Sequence, residues 1–136
     1  MNVESIGKEY VVGALGDYGM TCPDRYIEML RRTPIHRAIE GLRPWYFDHD
    51  PASAVQFCSE AAGRPVLPFA QAVEEDMMAC FVPKPFGEPA VVVINPWSED
   101  KTSVVQARLP NYDAWLDYAT EVARQVQARE ADKDDD

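Results

Sequence analysis

Two stretches of this chain hold residue types that could do chemistry. Asp48-His49-Asp50 sets carboxylate, imidazole and carboxylate in a row, all ordinary metal ligands, and only one other histidine, His36, is present. The competing reading is that Asp50 caps a helix and His49 stands exposed beside it. Adjacent residues rarely converge on one ion and no second ligand cluster accompanies them, so no metal is expected. Cys58 is the nucleophile to consider, with His49 as its base. If Asp50 begins a helix, Cys58 lies about two turns along, about 12 Å from His49. That is too far for an imidazole to activate a thiol. Gly13, Gly16 and Gly19 fit neither the dinucleotide fingerprint nor the P-loop. The sequence therefore predicts no catalytic residues and no cofactor.

The elements that would position any site have to come from a chain of 136 residues, enough for one domain with its own core. Hydrophobic residues make up 46% and charged residues 26%, which is ordinary globular usage and argues against a disordered body. The apolar runs are short and broken by proline, so no membrane span is expected. The first residues lack the basic start and apolar stretch of a secretion signal, which points to a cytoplasmic location. Three cysteines, Cys22, Cys58 and Cys80, are widely spaced and form no C-x-x-C pair. A reducing compartment is the simplest reading, with each cysteine a small core residue.

Charge is more informative. The chain has 13 basic and 23 acidic residues, a net of −10. Residues 130–136 supply −4 of this and read as a solvated, disordered acidic tail, which leaves −6 on a single domain of residues 1–129. Such a field repels nucleic acid and anionic membranes and speeds encounter with a basic partner.

Periodicity then places the elements. Residues 3–15 show a loose helical spacing, weakened by Gly7 and Gly13. A helix is expected over 23–32, with Pro23 and Asp24 at its start and Arg31 and Arg32 at its end. In 34–47, Ile35, Ala38, Ile39 and Leu42 read as helical, but Pro34, Gly41 and Pro44 confine any helix to about two turns. Asp50 and Pro51 open another helix that Gly63 is placed to close. The period then shifts. Segments 66–69, 77–82, 90–94 and 102–109 are short, apolar and separated by turn residues, the signature of an antiparallel meander. The second and third do not alternate and so need cover on both faces. Asn111 caps a final amphipathic helix whose stripe is Trp115, Ala119, Val122 and Val126. The fold class is therefore α+β: a central antiparallel sheet of at least four strands, packed with N-terminal helices and a C-terminal helix.

Four stretches carry a resemblance. Gly19-Met20-Thr21-Cys22-Pro23-Asp24-Arg25-Tyr26-Ile27-Glu28-Met29-Leu30 is similar to a Gly…Pro-x-x-Tyr-x-x-x-Leu opening helix. Val66-Leu67-Pro68-Phe69-Ala70 resembles a Leu/Ile-Pro-Phe-Ala strand. Ala90-Val91-Val92-Val93-Ile94-Asn95 and Tyr112-Asp113-Ala114-Trp115-Leu116 resemble a penultimate strand and closing helix. In this order they resemble the SUKH superfamily, which includes bacterial immunity proteins and fungal cell-wall assembly regulators, over roughly residues 15–126. Where that family often has a glycine-containing turn after the Pro-Phe strand, this chain has Val73-Glu74-Glu75-Asp76. The resemblance implies a cytosolic antidote that binds and blocks a toxin delivered by a neighbouring cell, nucleases included. An intracellular scaffold like the fungal members is the alternative, and a small hydrolase using Cys58 is a third reading. Monomer and dimer are both compatible with the sequence.

Topology supplies the candidate interface. In an up-and-down meander the first and third hairpin loops fall at one end of the sheet. Glu74, Glu75 and Asp76 would thus gather with Trp97, Glu99 and Asp100, away from the proline-rich loop 83–89. Tryptophan among loop acids fits an anchor ringed by charges that steer a basic toxin surface. The competing reading has Trp97 folded back over the core edge and the acids merely solvated.

Overall fold

Backbone punctuation decides where the elements begin and end. The computed structural model describes residues 3–34, 37–48, 50–83 and 87–134. Helix α1 covers Val3–Asp17 and α2 covers Asp24–Arg32, one residue inside the expected start. Pro23 precedes α2 in extended conformation, Asp24 lies in its first turn and Arg31 and Arg32 in its last, each charge matched to the helix dipole. Helix α3, Pro51–Ala62, starts on proline and stops at Gly63, whose φ of 74° is the left-handed closure that glycine adopts without strain. Helix α4 begins at Tyr112, where the Ala114 N–H donates to Asn111 Oδ1 at 2.8 Å, the cap read from the sequence.

The sheet has five antiparallel strands in sequential order: β1 Tyr46–Phe47, β2 Leu67–Ala72, β3 Met77–Val82, β4 Ala90–Ile94 and β5 Val105–Leu109. Strand β1 is an addition to the expected four, pairing Tyr46 with Gln71 and Phe47 with Ala70. Strands β2, β3 and β4 are almost wholly buried, whereas β5 alternates half-buried Val105, Ala107 and Leu109 with exposed Gln106 and Arg108. The non-alternating strands are covered on both sides, as their pattern required.

Alternation along β3 sorts the two cores. Ala79 and Phe81 face α1, α2 and α4, joining Leu15, Tyr26, Leu30, Trp115 and Ala119. Met78 and Cys80 face α3, joining Cys58, Val92 and Ile94. The larger core is aromatic. Tyr26 lies edge-on to Phe69 at 5.6 Å and Phe81 at 5.1 Å, and Trp45 packs edge-on against Trp115 at 5.5 Å.

The segment whose sequence left helix and turn both open takes one form, and one expectation needs correction. Residues 37–45 form turns that lead into β1. The Ile39 N–H donates to the Trp45 carbonyl at 2.9 Å, folding the segment back so that Ile39, Leu42 and Trp45 all enter the core. Residues 130–134, expected in a disordered tail, continue α4 to Asp134. Contacts distant in sequence hold that turn: Glu130 pairs with Arg43, and the preceding Arg129 with Glu75. Local composition cannot reveal such pairs.

Candidate functional site

The loop from β4 to β5 is built by its own polar side chains. Asn95 accepts the Trp97 N–H at 3.1 Å through Oδ1, a side-chain turn that aims Trp97 outward, and the Asn95 N–H closes the loop on the Val104 carbonyl at 2.7 Å. Asp100 caps the short 3-10 turn Lys101–Ser103. Its carboxylate accepts the Thr102 N–H at 2.9 Å and hydroxyl at 2.7 Å, and the Ser103 hydroxyl at 3.1 Å. These donors, the Thr102 hydroxyl foremost, hold the Asp100 carboxyl below the usual carboxylate range. Asp100 is thus committed to loop shape.

The loop from β2 to β3 takes a different form. Val73–Glu75 makes a 3-10 turn, and Asp76 then adopts φ 55°. Aspartate tolerates this left-handed conformation better than most residues with a Cβ. Asp76 therefore performs the reversal that glycine commonly makes in such a turn. Glu75 is pulled toward α4, where it pairs with Arg129 at 2.8 Å. Glu74 is exposed and its charge is felt by Arg43.

Because β3 and β4 are neighbours, both loops lie at one end of the sheet, about two strand spacings or 10 Å apart. Their side chains divide between its two sides. Trp97 leans over the α3 side, its ring 6.3 Å from that of Phe57, whereas Glu75 leans to the α4 side. Trp97 and Phe57 are 47% and 45% exposed, two of the largest apolar groups left in solvent. Glu74, Asp76 and Glu99 are exposed, and none of them has an ion-pair partner among the described residues. The site is therefore an aromatic pair on one side of a sheet end, with three outward acids along that end and two further acids fixed as scaffolding.

Phe57 was missed at the sequence level because it reads as part of the apolar run of α3. Its spacing held a clue: Ala54, Cys58 and Ala61 make the stripe that packs on the sheet, and Phe57 lies at its margin.

His36 and His49 lie outside the described residues. Asp48 and Asp50 serve the start of α3: Asp48 Oδ1 accepts the Asp50 N–H at 2.9 Å, and Asp50 Oδ2 accepts the Ser53 hydroxyl at 2.6 Å. No three histidine, cysteine or acidic side chains converge to hold an ion among the described residues, and no described helix is long and apolar enough to cross a membrane. No family model, no curated protein and no solved structure matches this chain.

Proposed function

We propose that this chain is an immunity protein of the SUKH kind, one that neutralises a toxin by occupying its basic surface in a stoichiometric complex. The observation that carries the reading is the exposed Phe57–Trp97 pair beside outward carboxylates at one end of the sheet. Leaving two aromatic rings half in water forfeits burial that a folded domain would otherwise use. Large rings of this type, placed where a partner can desolvate them, are the usual anchors of protein interfaces. Glu74, Asp76 and Glu99 extend the attraction outward, and the net charge of −10 adds a long-range field that raises the encounter rate with a cationic protein.

The geometry supports a division of labour. Asp100 and Glu75 set the loop shapes and their charge is largely committed within the fold. Phe57 and Trp97 supply the apolar contact, and the remaining acids supply steering. The partner is a protein with a cationic groove, the form that a nuclease active site takes. Inhibition by coverage requires no reacting group on the inhibitor.

The test is survival. Cells expressing the toxin candidate from the adjacent reading frame should die without this chain and grow with it, and Phe57→Ala/Trp97→Ala should abolish protection while the protein remains folded. Equal killing with and without the wild-type chain overturns the proposal.

A further inference from the structure

The smaller core, beneath α3, brings together three sulfur-bearing side chains. Cys58 faces the sheet from α3, while Met78 and Cys80, two residues apart on β3, face α3 from below. Cys58 Sγ lies 3.6 Å from Met78 Sδ, and Cys80 shares the same buried cluster on the same face of β3. Both cysteines are fully buried. The sequence reading treated them as separate small core residues, since nothing local links positions 58 and 80.

The geometry points to Cys58 and Cys80 as an oxidative modification site, a latent disulfide that staples α3 to β3. The surroundings separate their roles. The neighbouring Cys80 thiol lowers the Cys58 pKa against the opposing effect of burial, whereas the Cys58 thiol and burial both raise that of Cys80. Cys58 is the better nucleophile and Cys80 the resolving thiol.

With hydrogen peroxide as oxidant the steps balance. The Cys58 thiolate attacks one peroxide oxygen, the O–O bond breaks, and Cys58 sulfenic acid and hydroxide result. The Cys80 sulfur then attacks the Cys58 sulfur, the S–O bond breaks, and the departing hydroxyl leaves as water with the Cys80 proton. Overall, two thiols lose two hydrogens and one peroxide becomes two waters. Because the pair is sealed, local opening of α3 limits the rate.

Cys22 is the internal control. It is half-buried, and burial followed by the Asp24 charge raises its pKa to about 11, which keeps it a thiol. The folded full-length chain is treated with hydrogen peroxide at neutral pH, quenched with an alkylating reagent, and followed by intact mass and non-reducing peptide mapping. The expected product has lost two hydrogens, carries a peptide linking 58 to 80, and melts roughly 5–10 °C higher until dithiothreitol is added. In Cys80→Ala the reaction should stop at a Cys58 sulfenic acid that dimedone traps. Oxidation of Cys22 while Cys58 and Cys80 remain free thiols overturns the inference. So does oxidation of the pair without a cross-link.

Discussion

Truncating Trp97 to alanine separates the two roles that a half-exposed indole can have, support of the fold and contact with a partner. A tryptophan buries about 150–250 Å² when fully covered. At 47% exposure, Trp97 keeps roughly 100 Å² out of water in the free chain. At about 25 cal/mol per Å² this is roughly 2.5 kcal/mol as an upper bound, and about 1.5–2 kcal/mol once a compact denatured state is allowed for. Thermal melting of Trp97→Ala should therefore fall by roughly 5–8 °C, and the chain stays folded at 25 °C. Binding carries the other half of the area. A central aromatic anchor is worth about 2 kcal/mol or more, roughly a thirtyfold loss in Kd measured by calorimetric titration below the melting transition. Because Trp97 touches Phe57, the effects of Phe57→Ala and Trp97→Ala on binding should fall short of or exceed additivity by about 0.5–3 kcal/mol in a double-mutant cycle. Affinity unchanged within about 0.5 kcal/mol in both single variants would refute the anchor assignment, whatever the melting data show.

Charge reversal should act on rate rather than fold. Glu74→Lys with Glu99→Lys should slow association several-fold at low salt and much less at high salt, read by stopped-flow at two ionic strengths. Glu75 and Asp100 are excluded from that set because reversal would break the Arg129 pair and the 3-10 cap, confounding charge with loop shape. Alkali should reveal Cys22. Its pKa is raised from 9.0 to about 11, so the folded chain keeps a proton that the unfolded chain gives up; the contribution is complete below pH 9 and is lost as pH rises through 11. Stability measured across that window should decline, and Cys22→Ser should flatten the decline. Trp115→Ala should cost about 3–5 kcal/mol by denaturant unfolding, because the ring is fully buried against Trp45 and Phe69.

The parts of the fold that could be read from sequence are those fixed by local rules. Pro51, Gly63 and Asn111 mark helix ends through dihedral and capping preferences that act within a few residues, and the shift from helical to strand spacing after Gly63 marks the meander. The sharing of one sheet end by the loops around Glu74 and Trp97 follows from topology alone. What stayed hidden depends on distant partners. Strand β1 is only Tyr46–Phe47 and exists because β2 offers an edge. Residues 37–47 carry helical spacing, yet Trp45 enters the core beside Trp115, and that contact prevails over a marginal short helix. The last turns of α4 are stabilised by Arg43 and Glu75, more than fifty residues away. The direction in which each loop leans, Trp97 to Phe57 and Glu75 to Arg129, is likewise tertiary. So is the meeting of Cys58 with Cys80.

A titration of toxin activity against this chain tests coverage without catalysis most directly. Increasing amounts of the purified chain are added to a fixed amount of the candidate toxin, and residual toxin activity is followed at equilibrium. Neutralisation by occlusion gives a linear fall to zero at a fixed whole-number stoichiometry, unchanged by longer incubation, and Phe57→Ala/Trp97→Ala shifts the curve to higher concentrations. Complete neutralisation by a small fraction of an equivalent, deepening with time, would mean that the chain turns over, and the account would fail.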